Sequence, residues 1–246
     1  MVAGPRGGTI GGAADGADWT GKGGPDDTRW VPPVHAAFTT RVLAVLLLVA
    51  AGGGCDNQNK LQSPATLKSP LPRESVWAVA PFLNESGVST ADGARVADQM
   101  AKVVEEADGL SCVAVNRTLA AMQSLRLPAV TSDQDAARLC AALGVDGLLI
   151  GTITLWDPYP PPKEGLAVQL YLREKGAAPV AQASGIFDSS NHAVLADLKA
   201  YAASRYQPGA PYGADIYQVE MSRYSEFAAH QILAQLLAKL GPPPER

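Results

Sequence analysis

Histidine and cysteine are scarce in this chain of 246 residues, and each occurs only three times. So few potential ligands do not support a zinc ribbon, a cysteine-rich redox array or a framework of disulfide bonds. Charged residues make up 18% of the sequence, below the usual quarter, and the net charge is −4. An acidic balance excludes a basic nucleic-acid-binding protein, so the sequence predicts no nucleic-acid partner.

The common motifs of enzymes are also missing. His192 and His230 belong to no His-x-x-x-His or Cys-x-x-Cys pattern, and the chain has no Gly-x-Ser-x-Gly elbow. Asp146 and Asp157 flank an apolar run that is long enough, as a strand, to place them at opposite ends of a sheet. This spacing favours turn formation over a catalytic carboxylate pair. The sequence predicts a protein that is not an enzyme and has no cofactor and no metal site.

The chain does contain an abrupt change of composition near its start. Residues 1–40 combine glycine, aspartate and proline without apolar periodicity, which predicts a disordered leader. Residues 41–54 begin with Arg41 and continue with an apolar run and small residues. The run is too short for a stable bilayer span, which needs about 20 residues. A basic residue, a short apolar run and small residues are typical of a secretory signal peptide.

The small residues Gly52, Gly53 and Gly54 stand directly before Cys55. This arrangement resembles the lipobox of bacterial lipoproteins, although Gly52 stands where leucine is usual. The resemblance implies that Cys55 receives a diacylglyceryl thioether and that the leader is cleaved just before it. The alternatives are an incidental cysteine after an ordinary signal peptide, or a buried core helix. Because each buried methylene contributes about 0.8 kcal/mol, two or three acyl chains anchor a protein stably.

The residues after Cys55 are polar, and residues 55–74 predict a flexible tether of about 20 residues that reaches about 60 Å when extended. Asp56 resembles the inner-membrane retention signal of enterobacterial lipoproteins. The leader carries equal numbers of acidic and basic residues, so the chain after Cys55 keeps the net charge of −4. Attachment to an anionic membrane would therefore come from the lipid anchor and not from charge. The predicted location is the cell envelope, with the protein facing the periplasm.

Residues 75–240 predict a single folded domain, followed by a proline-rich tail over residues 241–246. Apolar runs predict strands over 75–82, 110–115, 145–156, 166–172 and 179–187. Helical periodicity predicts helices over 90–107, 118–125, 133–143, 191–206 and 215–240. Residues 166–172 alternate, which indicates a strand with one wetter face. The order favours an α/β fold with a mixed sheet, parallel in its first half and an antiparallel meander in its second, flanked by helices and with additional C-terminal helices.

Two segments of this domain resemble a known group of envelope proteins. They are residues 78–87, AVAPFLNESG, and residues 143–153, LGVDGLLIGTI. Together they resemble the group formed by the TolB amino-terminal domain, the curli-secretion lipoprotein CsgG and the lipoprotein activators of penicillin-binding proteins. The resemblance spans residues 76–187 and implies non-enzymatic work in the envelope, by docking on other proteins. No β-propeller follows and no long alternating hairpins are present, so the roles of whole TolB and of the CsgG pore do not transfer.

Cys112 and Cys140 form a candidate disulfide. Cys112 lies on a predicted strand and Cys140 on the core face of a predicted helix. An exported compartment permits such a bond. Two independent buried thiols are the alternative.

Trp156, Tyr159 and Pro160 mark a candidate contact loop. Residues 157–162 contain four prolines, which predicts a loop of polyproline character at a strand end, where binding residues often collect. A rigid cover over the sheet edge is the alternative. The C-terminal region also holds five tyrosines, which indicate either protein or glycan contacts or the packing of the terminal helices. They are Tyr201, Tyr206, Tyr212, Tyr217 and Tyr224.

These observations predict a lipid-anchored cell-envelope protein whose non-catalytic α/β domain docks on, and supports, an envelope assembly. Its expected partners are the membrane, through the lipid anchor, and other envelope proteins. A periplasmic binding protein for a small ligand or a polysaccharide is the alternative. A pocket lined by the contact loop and the tyrosines would favour that alternative.

Overall fold

A six-stranded sheet lies at the centre of the fold. The computed structural model describes residues 66–205 and 212–242. Most strands are rich in β-branched, leucine or aromatic residues, and turn-forming proline, glycine, asparagine or aspartate lies near their ends. The strands are β1 (Ser75–Val79), β2 (Leu83–Asn84), β3 (Leu110–Val113), β4 (Gly147–Asp157), β5 (Lys163–Leu172) and β6 (Ala181–Asp188). The predicted leader, signal peptide and lipidated Cys55 lie outside the described residues.

The strand order is β3-β1-β4-β5-β6, with β2 alongside β4 beyond the end of β1. β1 is parallel to both β3 and β4, whereas β4, β5 and β6 are antiparallel neighbours. The parallel strands are joined through helices and the antiparallel strands through short connections, as their geometry requires. This arrangement confirms the predicted mixed α/β fold.

Five α-helices flank the sheet. They are α1 (Gly93–Glu105), α2 (Val115–Ser124), α3 (Asp133–Leu143), α4 (His192–Arg205) and α5 (Met221–Leu240). The predicted helix over 215–240 is interrupted, because residues Gly213–Gln218 form a 3-10 helix and Glu220 is extended before α5 begins. The side chain of Ser132 accepts a hydrogen bond from the Asp135 backbone N–H at 3.2 Å, which fixes the start of α3.

The helices cover the two faces of the sheet unequally. On the first face α1, α4 and α5 pack over β1, β4, β5 and β6, around a core that includes Trp77, Met100, Leu149, Val168 and Phe227. On the second face α2 and α3 pack over the parallel half of the sheet. The core of that face includes Ala78, Met122, Leu139, Leu148 and Tyr171. The second face of the antiparallel half therefore has no helix over it within the described residues.

The described part of the predicted tether contacts the domain. The backbone of Leu67 accepts a hydrogen bond of 2.8 Å from the Asp108 N–H, and the Ser69 N–H donates one of 2.9 Å to the Asp108 carbonyl. Leu67 and Leu71 pack against the core. The chain is thereby attached beside β3 before it enters β1. Among the described helices, none combines the length and the apolar character that crossing a bilayer requires.

Candidate docking surface

The exposed second face of β4, β5 and β6 forms the floor of an open cavity. Side chains alternate along a strand, so one set faces the core and the other faces outward. On β5 the outward set includes Ala167 and Gln169, and on β6 it includes Gln182, Ser184 and Ile186. Gln182 and Ser184 are exposed, and the Ile186 side chain is 68% exposed. The wetter face predicted for residues 166–172 is therefore this surface.

The strand register aligns these side chains into rows across the sheet. Gln169 lies opposite Ile150 on one side and Gln182 on the other. Ala167 lies opposite Thr152 and Ser184 in the next row. Apart from Ile150, the floor is built from side chains that are small or carry amide and hydroxyl groups.

The loop before α3 forms a rim along this floor. The open cavity measures about 820 Å³ and includes residues 130–133 of that loop, with Glu85 and Lys239 at its margins. The Tyr171 hydroxyl donates a hydrogen bond of 2.8 Å to Asp133 and lies 3.0 Å from the Gln169 amide oxygen. Burial, followed by the Asp133 carboxylate, raises the pKa of Tyr171 to about 12, so this hydroxyl remains a donor. We call this floor and rim the docking surface.

The free edge of β6 is partly protected. β6 is the last strand on its side of the sheet, and the Lys239 ammonium from α5 donates to the Gln182 carbonyl at that edge. A lysine at an edge disfavours the addition of a further strand. The geometry therefore favours contact through the face of the sheet over strand pairing.

The predicted contact loop is divided between two environments. Trp156 is half-buried at the end of β4, packs against the core and lines a separate cavity of about 300 Å³. Tyr159 is 78% exposed on the loop, and Pro160 is exposed beside it. The structure does not bring these three side chains together in one pocket.

The C-terminal tyrosines lie mainly in the core. Tyr201, Tyr217 and Tyr224 are buried and stack with Phe227 or with one another. Tyr212 is 79% exposed, and Tyr206 lies outside the described residues. Core packing explains the three buried tyrosines, so the described aromatic residues form no shared ligand pocket of the kind that would favour a binding protein.

Cys112 and Cys140 are both free thiols in the structure. Cys112 packs against the core on the first face of the sheet and Cys140 belongs to the core on the second face. The sheet separates them, so the structure does not bring the candidate pair together. Burial, followed by the neighbouring Glu105 carboxylate, raises the pKa of Cys112 to about 12.

Other residues considered from the sequence have structural roles. Asp146 accepts a hydrogen bond of 2.9 Å from Arg173, and Asp157 accepts one of 3.3 Å from the Tyr159 N–H. They lie at opposite ends of β4, as predicted. His230 is buried on α5, where burial, with Arg205 in support, lowers its pKa to about 4. Among the described residues, no group of three or more histidine, cysteine, aspartate or glutamate side chains is placed to hold a metal ion.

Glu226 is a buried charged residue that sequence reasoning missed. It accepts hydrogen bonds from Lys102 at 2.7 Å and from Arg223 at 3.3 Å, and the Tyr201 hydroxyl lies 3.2 Å away. Burial alone would raise the pKa of Glu226, but Lys102, Arg205 and Arg223 outweigh burial and hold it below its ordinary value. The network joins α1, α4 and α5, so it fixes the helical layer on the first face.

Glu164 is a second buried carboxyl group, and it is not paired. It is fully buried on β5, and neither side-chain oxygen has a hydrogen-bond partner within the described part of the chain. Burial raises the pKa of Glu164 to about 8, with a partial offset from the nearby Ser225 hydroxyl. The side chain is therefore mostly protonated at neutral pH.

No protein-family model matches the chain, and no curated protein matches it. Solved structures offer more distant likenesses. The C-terminal domain of LpoB from Salmonella enterica is 17% identical, with a TM-score of 0.40, over 52% of this chain and 89% of that chain.

Two further structures have similar scores. The lipoprotein GNA1162 from Neisseria meningitidis is 17% identical, with a TM-score of 0.38, over 48% of this chain and 85% of that chain. The PelC dodecamer from Paraburkholderia phytofirmans is 16% identical, with a TM-score of 0.40, over 70% of this chain and 94% of that chain. At these scores the likenesses assign no function to this chain.

Proposed function

We propose that this protein is a lipid-anchored component of the cell envelope whose α/β domain docks on other envelope proteins and performs no catalysis. The observation that carries the docking role is the docking surface: an antiparallel half-sheet covered by helices on one face and open on the other. On the same side of the sheet, α2 and α3 cover the parallel half, so the open antiparallel half is available to another molecule. A partner protein is the occupant that fits an open, mostly polar surface of this size.

The side chains of the docking surface support a reversible contact. Gln169, Gln182 and Ser184 can exchange hydrogen bonds with water for hydrogen bonds with a partner. Ile186 adds an exposed apolar side chain near the margin of the floor. Interfaces between proteins that also exist apart are about as polar as the rest of the surface, and obligate interfaces are more apolar. A docking contact that forms and dissociates fits this composition.

The placement of the titratable groups supports a non-catalytic role. Three side chains with strongly perturbed pKa values, Glu164, Tyr201 and His230, are buried and do not line the docking surface. A catalytic site needs such groups within reach of a substrate.

The anchor is proposed from Cys55 and the residues around it, which resemble a lipobox. Replacing the thiol with a hydroxyl, Cys55→Ser, removes the atom that would carry the thioether. We expect the wild-type chain to enter the detergent-rich phase in phase separation and Cys55→Ser to remain in the aqueous phase. If Cys55→Ser still enters the detergent phase, the proposed anchor is wrong.

The docking role is tested with a matched pair of surface variants. Ile186→Asp places a charge on the docking surface, and Lys199→Glu places one on the exposed side of α4. In intact cells treated with a chemical cross-linker, we expect Ile186→Asp to lose the high-mass adducts of the wild-type protein and Lys199→Glu to retain them. Adducts that are unchanged by Ile186→Asp, or lost equally in both variants, would contradict docking through this face.

A further inference from the structure

A second cavity lies at the opposite side of the sheet from the docking surface. It measures about 300 Å³ and is enclosed by the first two turns of α1, the end of β4 and the start of α5. Its polar and aromatic lining consists of Trp156, Asp92, Asp98, Arg95, Gln99, Thr90, Ser222 and Ser225. The cavity therefore combines an indole ring with two carboxylates, several hydroxyls and one guanidinium group.

One of the two carboxylates has no cationic partner. Asp92 accepts hydrogen bonds from the backbone N–H groups of Ala94 and Arg95 and forms an ion pair of 3.6 Å with the Arg95 side chain. Its charge is thus offset by the helix that it caps. Asp98 is exposed and forms no ion pair within the described residues, and partial burial, followed by repulsion from Asp92, raises its pKa. The cavity consequently has an uncompensated negative charge at Asp98.

A buried, unpaired carboxyl group lies directly behind the cavity wall. Glu164 is the cross-strand partner of Trp156, so both side chains leave the sheet on the same face. The Ser225 hydroxyl, which lines the cavity, faces the Glu164 carboxyl group. Neither Glu164 oxygen has a hydrogen-bond partner in the described structure, and an unsatisfied buried polar group normally costs about 1–3 kcal/mol. Glu164 itself does not line the cavity, but Ser225 does, and the Ser225 hydroxyl is buried without a hydrogen-bond partner in the described structure.

We propose that this cavity binds one basic side chain, preferably an arginine, of a partner protein. The planar guanidinium group can stack on the Trp156 indole while its N–H groups donate to Asp98 and to the serine hydroxyls. The cavity volume of about 300 Å³ accommodates one such side chain. This inference goes beyond the proposed docking function, because the cavity lies on the other face of the sheet and defines a separate contact with a basic protein.

The overall charge of the chain agrees with a basic partner. The net charge is −4, and the four basic and four acidic residues of the first 54 positions cancel, so the chain from Cys55 onward keeps this charge. Complementary charge accelerates the encounter with a basic protein and disfavours an acidic one.

The first turns of α1 and α5 also line the cavity, and free helix amino termini attract anions. Inorganic phosphate is therefore the competing ligand that a test must include.

The test uses the full chain in nonionic detergent, labelled with 5-fluorotryptophan and titrated with the amide of N-acetylarginine. Fluorine NMR gives one signal for each tryptophan, and Trp156→Phe identifies the signal of Trp156. Trp77 is an internal control for the fold, because it is fully buried and its indole N–H donates to Ser75 at 2.9 Å. We expect a saturable shift of the Trp156 signal and no shift of the Trp77 signal. The amide of N-acetylcitrulline, which has nearly the same shape without the charge, should give no saturable shift.

A pair of carboxylate variants locates the charge. Asp98→Asn should weaken arginine binding by about three- to fivefold. Asp197→Asn removes an exposed carboxylate from α4 and should leave the affinity unchanged. Equal shifts with citrulline, saturable binding of phosphate in place of arginine, or an equal loss in both variants would overturn the proposal. Since this titration uses no partner protein, its failure would leave the cross-linking result on the docking surface standing.

Discussion

The Tyr171 hydroxyl and the Asp133 carboxylate are joined by a hydrogen bond of 2.8 Å, which connects the floor of the docking surface to its rim. Tyr171 is almost fully buried on β5, and Asp133 is the first residue of α3. The contact joins elements that are 38 residues apart in sequence. It positions the start of α3 against β5. The loop before α3 therefore borders the open face along one side.

Tyr171→Phe tests this connection. The variant removes the hydroxyl and leaves the ring in place, so we expect the free energy of unfolding to fall by about 1 kcal/mol, the usual net value of one hydrogen bond. Urea denaturation measures the change. Tyr159→Phe is the matched control. Tyr159 is 78% exposed, so loss of its hydroxyl should leave the free energy of unfolding unchanged. Equal stability of Tyr171→Phe and the wild-type protein would show that the bond does not hold the rim.

Glu226→Gln tests the buried ion network. The change leaves Lys102, Arg205 and Arg223 without their shared counter-charge. We expect a loss of about 2 kcal/mol, below the full penalty for breaking a buried pair because the three basic side chains are partly exposed to water.

Glu174→Gln provides the control for the Glu226 network. Glu174 pairs with Arg73 on the surface, where its side chain is 67% exposed, so its loss should change stability by less than about 0.5 kcal/mol. Thermal and urea unfolding of both variants give the comparison. Equal losses would mean that the Glu226 network contributes no more than a surface ion pair.

The pH dependence of stability tests Glu164. Its pKa is raised from the ordinary 4.5 to about 8 in the folded chain, so between these values the folded state holds the proton that the unfolded state has released. The free energy of unfolding therefore falls as pH rises through this window, by up to about 1.4 kcal/mol per pH unit from this group. At pH values below the window both states hold the proton, so Glu164 makes no pH-dependent contribution there.

Glu164→Gln should remove this contribution, so the difference in stability between the variant and the wild-type protein should change across the window. Glu74→Gln is the control, since Glu74 is exposed. Urea denaturation at a series of pH values measures the slopes. Parallel curves for the wild-type protein and Glu164→Gln would show that Glu164 titrates normally.

The two thiols give a prediction for covalent chemistry. The sheet lies between Cys112 and Cys140, so we expect both thiols to be free. When the protein is unfolded without reductant, each of these two cysteines should therefore take up one alkylating group. The folded protein should react more slowly at Cys140, which is 3% exposed, than at Cys112. Peptide mass analysis measures both. A peptide pair linked through Cys112 and Cys140 would support the disulfide alternative and contradict this arrangement.

Local patterns in the sequence predict most of the fold. The apolar run over residues 145–156 predicts the strand β4, and the alternation in residues 166–172 predicts a strand with one wetter face, because burial on one or two faces determines which positions are apolar. The helical periodicity over residues 133–143 likewise predicts α3 with its observed bounds. These features depend on residues within a few positions of each other.

The candidate sites were harder to predict because they depend on which helix covers which face. The residues around Gln182 and Ser184 do not indicate that α2 and α3 pack only over the parallel half of the sheet and leave the antiparallel half without a helix on this face. Glu226 on a helix and Glu164 beside Lys163 both resemble solvated residues, since a buried carboxyl group differs from an exposed one only through partners far away in sequence. The sequence places Trp156 at a strand end, but its neighbours in the cavity come from α1 and α5, which are far away in sequence.

Position-specific photo-cross-linking in intact cells tests the central claim, docking through the open face, most directly. A photoreactive phenylalanine derivative is introduced at Ser184 on the docking surface or at Asp197 on α4 in the membrane-anchored protein. The account predicts a discrete adduct with an envelope protein from position 184 and none from position 197. No adduct from position 184, or the same adduct from both positions, would contradict it.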